Sequence, residues 1–317
     1  MTDNTALQTM GAGAIVEQQP QAITIDLYTR FVAYIDAAPA TVTTYTKAVR
    51  QFMNYITERG ITHPQKADVI AFKESLKASG HKPTTIQAYI TAVRLFFRWL
   101  EDEKIYPNVA DRVKGAKITK GHKKDYLTSG QTKEILKGID RSTLQGLRDY
   151  ALFALCVTGG LRTIEVSRAN IEDIGAVGDS PALYVQGKGQ TEKTDFVKLA
   201  RPVERAILAY LKKRGETDPK APLFASISNN STGGRLSTRS ISGIIKTAMQ
   251  RAGYDSERLT AHSLRHTAAT LNLLSGGSLQ ETQQLLRHTN INTTMIYNHS
   301  LERANSQSEE RIAKAIF

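Results

Sequence analysis

Hydrophobic residues recur at helical intervals in the first third of the chain. Tyr45, Val49, Phe52, Met53 and Ile56 are separated by four, three, one and three positions, so they share one face of an α-helix. With shorter helical stretches near 25–36 and 67–78, this pattern predicts a domain of about four helices over residues 23–117. The spacing is repeated at Ile86, Tyr89, Ile90, Val93, Phe97 and Leu100.

The pattern becomes mixed over residues 126–317. Strand-like runs at 182–185 and 195–199 flank the sequence Gly187-Lys188-Gly189-Gln190, which predicts a β-hairpin. The fold class is therefore expected to be mainly α, with an N-terminal four-helix domain and an α+β second domain in which helices accompany a small antiparallel sheet. Helices of the second domain are predicted at 145–158, 202–214, 237–252, 261–275 and 279–287.

Polar residues and glycines mark several helix ends. Thr128 with Gln131, and Ser278 with Glu281, have the spacing of capping boxes, which satisfy the free N–H groups at a helix start. The helix predicted at 145–158 is expected to break at Gly159-Gly160.

Two segments lack hydrophobic periodicity. Residues 1–22 contain no Lys or Arg and include glycines and a Gln-Pro cluster, which predicts a flexible tail. Between Asp111 and Asp125 the chain has cationic residues, two glycines and no further acid, which predicts a basic interdomain linker at residues 118–125. The cations of this stretch are Arg112, Lys114, Lys117, Lys120, Lys123 and Lys124.

Composition is typical of a soluble globular protein of about two domains, with 40% hydrophobic and 23% charged residues in 317. No apolar run approaches the ~18 residues that span a bilayer. Residues 1–22 lack the features of a secretory signal, so we expect no membrane association and a cytoplasmic location. A single cysteine, Cys156, lies in an apolar run, which excludes disulfides and indicates a core role.

The formal charge of +12 favours a polyanionic partner, most plausibly nucleic acid, although charge alone does not separate DNA from RNA or a membrane surface. Cations on the predicted helices and linker are candidate phosphate contacts; the alternative is an ordinary solvated face. Besides the six linker cations, the candidate DNA contacts are Lys47, Arg50, Lys82, Thr84, Thr85, Arg94, Arg98 and Arg239.

Two familiar motifs are excluded by single residues. Lys193-Thr194 follows Glu192 rather than a glycine, so the chain has no phosphate-binding P-loop there. His262 and His266 have the spacing of a helical zinc pair, but Ser263 stands where a zinc protease carries its glutamate base. A metal site is therefore a poor interpretation, and we expect neither a metal nor another cofactor.

The remaining polar residues fit phosphodiester chemistry. A tyrosine hydroxyl is a nucleophile that can attack phosphorus and form a covalent intermediate. Arginine forks match phosphate oxygens, and histidine or lysine can move the protons of the attacking and leaving oxygens. Singly, each such residue is more often part of a structural salt bridge or core hydrogen bond. Their order along the chain favours one shared site made of Arg162, Lys188, His262, Arg265, His288 and Tyr297.

These residues lie in motifs that resemble the tyrosine site-specific recombinases, a family of phage and transposon integrases and Xer-type recombinases. The resemblance covers residues 23–317. The motifs are Gly-Leu-Arg-x-x-Glu at 160–165, Gly-Lys-Gly at 187–189, His-x-Leu-Arg-His at 262–266 and Leu-x-His at 286–288, followed by Tyr297.

The resemblance implies site-specific DNA recombination through a covalent enzyme intermediate. Arg162 and Arg265 would clamp the scissile phosphate, and Tyr297 would become a 3′-phosphotyrosine. Because one ester replaces another, neither ATP nor a metal is implied. The other implied roles are general acid at the 5′-hydroxyl for Lys188, assistance to proton transfer at the nucleophile for His262, a hydrogen bond to the phosphate for His288, and orientation of nearby groups for Glu165.

Two positions depart from the family pattern. Thr158-Gly159-Gly160 has one glycine more than usual before Leu161, and Arg287 stands where a glycine usually precedes the histidine. We expect Arg287 to add a DNA phosphate contact. The helix-prone tail at about 304–317 is expected, from the resemblance, to dock into a neighbouring protomer; the alternative is that it folds back onto its own domain.

The partners implied by the resemblance are double-stranded DNA recombination sites, bound by a homo-tetramer on two duplexes that assembles from monomers or weak oligomers, with accessory DNA-bending proteins. Integration, excision and resolution all remain open. Two alternative functions also remain: relaxation of supercoils as by a type IB topoisomerase, and a catalytically silent DNA-binding regulator.

Overall fold

The computed structural model describes residues 21–118, 125–187, 189–228, 231–297 and 307–317. The chain divides into two compact units, Met1–Lys120 and Gly121–Phe317. Most of the predicted tail and linker lies outside the described residues, as does the start of the segment at 304–317. Of the predicted site residues, Lys120, Lys123, Lys124 and Lys188 also lie outside them.

The first unit contains four helices in its described residues, as the hydrophobic pattern predicts. Their observed ends differ from the predicted ones by at most two residues where ends were predicted. The helices are α1 (Ile25–Tyr34), α2 (Pro39–Thr57), α3 (Lys66–Ala78) and α4 (Pro83–Asp102).

The core of the first unit lies between α2 and α4. Val49, Phe52, Ile90 and Phe97 are fully buried there. The rings of Phe52 and Phe97 meet edge to face, with centroids 5.7 Å apart and an interplanar angle of 74°, a favoured aromatic geometry. Because each helix buries only one face, the opposite faces of α2 and α4 remain available to solvent or a partner.

The helices of the second unit confirm those predicted from periodicity, with ends shifted by at most two residues. The helix α12 includes residues 292–297. The others are α5 (Ser129–Lys137), α6 (Leu144–Gly159), α7 (Thr163–Arg168), α8 (Arg201–Arg214), α9 (Thr238–Arg251), α10 (Ala261–Leu274), α11 (Leu279–Leu286) and α13 (Ser308–Ile316).

The helix α6 forms the centre of the second core. Every residue from Ala151 to Val157 is buried, and α6 packs against α8 and α10. A helix that is surrounded in this way needs apolar residues on all sides, which explains the continuous hydrophobic run in this part of the sequence. Cys156 belongs to this core, as expected.

A three-stranded antiparallel sheet, in the order β1-β2-β3, lies in the second unit. Leu183 in the middle strand pairs with Ile174 on one side and Val197 on the other. The predicted hairpin is confirmed by β2 and β3. The first strand was missed, although Gly178-Asp179 is a typical two-residue hairpin turn. The strands are β1 (Ile174–Val177), β2 (Ser180–Val185) and β3 (Asp195–Lys198).

Both predicted capping boxes form. Gln131 N–H donates to Thr128 Oγ1 at 3.2 Å, while the Thr128 N–H donates to the Gln131 side chain at 2.8 Å. Ser278 and Glu281 bond in the same reciprocal way and start α11. The predicted mainly α fold, with an α+β second unit, is therefore confirmed. None of the described helices is long and apolar enough to cross a membrane.

Candidate active site

Arg162 stands at the start of α7 and is tied to Glu165 within that helix. The Arg162 N–H donates to Glu165 Oε2 at 2.8 Å, and Arg162 Nη1 donates to Oε1 at 2.7 Å. The Glu165 side chain is fully buried, whereas 27% of the Arg162 side chain is exposed. Burial opposes ionisation of Glu165, but Arg287 and the bonds from Arg162 outweigh it and hold the pKa of the carboxyl below its usual value. Glu165 is therefore a buried carboxylate that orients Arg162.

The turn between α6 and α7 depends on Gly160. Its φ of +57° lies in the left-handed region that glycine adopts readily, and an added Cβ would lie 2.7 Å from Leu286 Cδ2 and 3.4 Å from Ala268 Cβ. At Gly159 an added Cβ would lie 2.6 Å from Val197 Cγ1. The paired glycines therefore let this turn approach α10, α11 and β3 closely.

Arg265 projects from α10 and is 1% exposed. Its Nη1 donates to the main-chain oxygen of Gly160 at 2.6 Å, and its Nη2 donates to that of Leu286. Burial and the like charge of Arg162 lower the pKa of Arg265 to about 9. A phosphate would relieve both effects, because an anion compensates for lost hydration and for repulsion between cations.

Arg287 lies in the interior of the second unit, beside Glu165. Its side chain is 7% exposed and its Nη2 donates to Glu165 Oε2 at 2.9 Å. The Nη1 donates to the main-chain oxygens of Leu285, at 2.7 Å, and Gly159, at 3.3 Å. In the DNA-free protein the guanidinium is an interior group held by a carboxylate and main-chain carbonyls, and the DNA phosphate contact of Arg287 stays a prediction.

His288 lies beside this arginine cluster. Its Nδ1 is 2.8 Å from Thr294 Oγ1, which fixes the orientation of the ring. Burial, followed by the charges of Arg265 and Arg162, lowers the pKa of His288 to about 4. The imidazole is therefore neutral at pH 7 in the DNA-free protein, and an approaching phosphate would raise its affinity for a proton.

Tyr297, on α12, is covered by the protein and is 5% exposed. It packs in one cluster with Leu286, and its ring meets that of His266 at a centroid distance of 5.1 Å and an angle of 66°. Burial raises the pKa of Tyr297, while the charges of Arg265 and Arg162 act in the opposite direction. The hydroxyl group is therefore influenced by both candidate clamp arginines.

His262 is exposed at the start of α10. Its ring centroid lies 4.8 Å from that of His266, and its charge contributes to the lowered pKa of His288. Within the part of the chain that the structure describes, no three His, Cys, Asp or Glu side chains are grouped so that they could hold a metal ion. Burial and the charge of Glu165 raise the pKa of Cys156 to about 12, so its thiol is poorly suited to nucleophilic chemistry.

Five of the six predicted site residues thus occupy one region of the second unit, linked through the Gly160 turn and the end of α11. The sixth, Lys188, lies outside the described residues. Sequence reasoning missed the Thr294 partner of His288 and the ring contact of His266 with Tyr297. Thr294 lies beyond α11 and belongs to no motif that the sequence reveals. His266, by contrast, is the last residue of the His-x-Leu-Arg-His motif.

The candidate DNA contacts in the first unit lie on its surface. A cavity of about 260 Å³ there brings Arg94, Arg98 and Arg112 together, beside Asn108 and Asp111. In the second unit, Arg239 is exposed in the first turn of α9. Within the first unit, Thr85 and Arg94 are half-buried, and the exposed candidates are Lys47, Arg50, Lys82, Thr84, Arg98, Arg112, Lys114 and Lys117.

Comparisons with known proteins match both units. Residues 125–303 match the phage integrase family, and residues 25–104 match the phage integrase N-terminal SAM-like domain. The chain is 28% identical over 269 residues to tyrosine recombinase XerD of Listeria monocytogenes serotype 4b (strain F2365), which covers 82% of this chain and 87% of that protein. It is 30% identical over 277 residues to tyrosine recombinase XerD of Bifidobacterium longum (strain NCC 2705), with 83% and 87% covered.

Solved structures show the same fold. The XerH site-specific recombinase, bound to palindromic difH substrate in a post-cleavage complex, has a TM-score of 0.69 and 23% identity, covering 85% of this chain and 80% of that one. A lambda integrase(75-356) dimer bound to a COC′ core site has a TM-score of 0.66 and 18% identity, covering 84% and 95%.

Proposed function

The chain belongs to the phage integrase family and is a tyrosine recombinase, an enzyme that cleaves and rejoins DNA; from this premise we propose that Tyr297 is its nucleophile. The reaction is strand exchange at specific DNA sites through a 3′-phosphotyrosine. The observation that carries the proposal is the charge around Glu165. Arg162 and Arg287 each bind one oxygen of this single carboxylate, and Arg265 binds the adjacent Gly160 carbonyl, close enough for both of their charges to lower its pKa.

The excess of positive charge supports binding of a scissile phosphate. Arg162 is partly exposed, and Arg265 donates to main-chain oxygens that a phosphate oxygen could replace. Arginine suits this role because its planar fork stays charged and can hold two phosphate oxygens. Tyr297 and Arg265 are buried in the DNA-free protein, so the proposed reaction requires both side chains to become accessible when DNA binds.

In the first step, the Tyr297 oxygen attacks phosphorus and the bond from phosphorus to the 5′ oxygen breaks. The tyrosine proton passes to solvent with the assistance of His262, and Lys188 donates a proton to the departing 5′ oxygen. Arg162 and Arg265 stabilise the negative charge that develops on the phosphoryl oxygens, and His288 donates a hydrogen bond to one of them.

In the second step, the 5′-hydroxyl of another strand gives its proton to the now neutral Lys188 and attacks the phosphotyrosine. A new phosphodiester forms, the bond from phosphorus to the Tyr297 oxygen breaks, and the tyrosine regains its proton. Each step exchanges one ester for another, so the bond energy is conserved without ATP. The cationic side chains supply the charge stabilisation that a metal ion supplies in other phosphoryl-transfer enzymes.

The proposed substrate is a pair of double-stranded DNA sites held by four protomers. The XerH and lambda integrase relatives are bound to DNA sites in their structures, and a lambda integrase tetramer has been solved on a Holliday junction. The basic surface of the first unit, including Arg94, Arg98 and Arg112, supports DNA binding by that unit. Accessory DNA-bending proteins are further proposed partners.

The test uses nicked suicide duplexes made from the DNA that flanks the gene. Wild-type protein is expected to form a denaturant-resistant adduct, and Tyr297→Phe is expected to form none because its ring has no nucleophilic oxygen. Tyr150→Phe is the matched control and should retain the adduct. No adduct on any flanking or genomic fragment would count against the proposal and favour a silent DNA-binding regulator.

A second assay separates recombination from the action of a type IB topoisomerase. Strand exchange yields a joint product from two labelled duplexes, whereas a topoisomerase only relaxes one supercoiled circle. We expect joint products from wild-type protein. Relaxation without any joint product, over a range of protein concentrations, would favour the topoisomerase alternative.

A further inference from the structure

Two arginines each bind one oxygen of the Glu165 carboxylate. Arg162 Nη1 binds Oε1 at 2.7 Å, and Arg287 Nη2 binds Oε2 at 2.9 Å. The two arginines differ in access, since 27% of the Arg162 side chain is exposed but only 7% of that of Arg287. Arg162 can therefore turn towards a phosphate more readily than Arg287, whose side chain is enclosed by the protein.

The backbone of Arg287 is held in an unfavourable conformation. Its φ of 52° and ψ of 48° lie in the left-handed region, which side chains with a Cβ rarely adopt. The N–H of Arg287 donates to Gln284 O at 2.9 Å and that of His288 to Gln283 O at 3.1 Å, which is the Schellman pattern that usually has glycine at this position. An arginine here is strained, and the buried contacts of its side chain oppose that cost.

The contacts of the guanidinium indicate what it contributes. Besides binding Glu165, the guanidinium donates hydrogen bonds to three main-chain oxygens. Nη1 donates to Leu285 O at 2.7 Å and to Gly159 O at 3.3 Å, and Nη2 donates to Gly160 O at 3.4 Å. These bonds join the end of α11 to the turn before α7. The same turn provides the oxygen that Arg265 binds.

We propose that Arg287 is a positioning residue that keeps Glu165 compensated while Arg162 transfers its guanidinium from the carboxylate to the scissile phosphate. This inference rests on the proposed function. A buried carboxylate that loses its only cation is costly, and the cost would oppose the release of Arg162. With Arg287 on the second oxygen, Glu165 remains paired throughout, and Arg162 is free to exchange partners.

Other charged and titratable groups around Glu165 do not replace Arg287. Arg265, from α10, is influenced by Glu165 but donates to Gly160 and Leu286 rather than to the carboxylate. Cys156, from α6, is a neutral thiol whose ionisation Glu165 opposes. The charge of Arg287 is the largest influence that lowers the pKa of Glu165, ahead of the bonds and charge of Arg162.

The first experiment compares the rate of adduct formation on the nicked duplex with DNA affinity. At pH 8, Arg287→Gly is expected to lower the rate on the order of 100-fold, the scale set by an uncompensated buried charge. Its affinity for DNA should stay within about twofold, because the side chain is buried in the free protein. Arg287→Lys retains a cation and should recover most of the rate, whereas Arg287→Gln should not.

The second experiment tests whether the uncompensated charge of Glu165 causes the slower adduct formation. Without Arg287, protonation of Glu165 would release Arg162, so the ratio of the Arg287→Gly rate to the wild-type rate should rise as the pH falls from 8 to 6. For the same reason, Glu165→Gln combined with Arg287→Gly should be about tenfold faster than Arg287→Gly alone at pH 8. If Arg287 made only a structural contact, the additional Glu165→Gln substitution would not restore the rate.

Arg214→Ala is the matched control, since its side chain is also buried, 8% exposed, and binds a glutamate and a main-chain oxygen. Its rate ratio to wild type should not change with pH.

A wild-type rate for Arg287→Gly, a ratio that is flat with pH, a double variant no faster than the single one, or a parallel loss of DNA affinity would each overturn the inference. If Arg287→Gly does not fold, Arg287→Gln with and without Glu165→Gln makes the same comparison. Absence of a wild-type adduct is a separate outcome, which overturns the proposed function itself.

Discussion

Three arginine side chains lie near the single carboxylate of Glu165, and the excess of positive charge lowers the pKa of Arg265 and of His288. The pKa of Arg265 falls to about 9 and that of His288 to about 4, in each case through burial and then through like charges. Both shifts favour the less charged form. A phosphate would reverse them, so binding of DNA to this site should be accompanied by proton uptake at His288.

The residue-scale prediction concerns how the free energy of unfolding depends on pH. The folded-state pKa of His288, about 4, lies below its ordinary value of 6.5. The unfolded chain therefore binds more protons between these values, and the free energy of unfolding should decrease as the pH falls from about 7 to about 4. Because His288 is only half-buried, we expect His288 to contribute on the order of 1–2 kcal/mol to this decrease after solvent screening.

Denaturant titrations followed by circular dichroism, at pH 7, 6, 5 and 4, provide the measurement. His288→Gln should be less sensitive to pH than wild type by that amount, and the exposed His63→Gln should behave as wild type. Identical slopes for wild type and His288→Gln would show that the histidine is not held neutral by its surroundings.

At the scale of elements, the site depends on one tight turn. The α6–α7 turn places Gly160 O against Arg265 and leaves Gly160 in contact with Leu286 at the end of α11. The same helix end carries Arg287 and His288. The turn therefore determines where Arg265 and the end of α11 lie relative to Arg162, which is more than 100 residues away along the chain.

The element-scale prediction compares two glycines with the same backbone conformation. Gly160 and Gly178 both have φ of +57°, but an added Cβ lies 2.7 Å from Leu286 Cδ2 at Gly160 and meets nothing within 4 Å at Gly178. Gly178→Ala should cost about 1 kcal/mol from backbone strain alone. Gly160→Ala should cost about 3 kcal/mol, because overpacking is added to the strain.

Cys156 is a suitable probe for this comparison, since it is buried in the same core and is the only cysteine of the chain. Its labelling by a thiol reagent across a urea titration reports unfolding of the second unit. Gly160→Ala should also slow adduct formation on the nicked duplex, while Gly178→Ala should not. Equal losses of stability in the two variants would mean that the contact with Leu286 is easily relieved.

At the scale of the whole molecule, α13 has an apolar stripe that nothing covers among the described residues. Ile312, Ile316 and Phe317 are 59%, 68% and 103% exposed, and no residue of α13 is buried. Each such side chain would contribute roughly 1.5–3 kcal/mol if it were buried in a partner. This exposure supports the proposal that the segment at 304–317 docks on a neighbouring protomer.

The molecule-scale prediction is that removal of residues 304–317 leaves the folded chain intact but prevents assembly. The thermal midpoint should change little, because α13 buries no residue. Joint-product formation from two duplexes should be lost, and sedimentation on DNA should show fewer protomers per complex. As a finer test, Ile316→Ser should weaken assembly and Lys314→Ser should not. Unchanged synapsis and recombination by the truncated protein would refute docking in trans.

The sequence by itself determined most of the helices, the hairpin of β2 and β3, and the six candidate residues, but it did not predict the short helices α7 and α12. Helical periodicity is a local property, because burial of one helix face requires apolar residues at regular intervals. The series from Arg162 to Tyr297 could be found because its motifs are short and ordered along the chain. The strand β1 was missed because four residues that include a glycine carry little pattern.

Only the tertiary structure decided how the arginines are used. Arg162, Arg265 and Arg287 have the same chemistry in the sequence, yet one is partly exposed and two are buried. Which of them can reach a phosphate depends on the Gly160 turn, the end of α11 and the position of Glu165, elements that are more than 100 residues apart along the chain. Periodicity carries no information about such long-range contacts, so the sequence did not predict that Arg287 would be an interior partner of Glu165 in the folded protein.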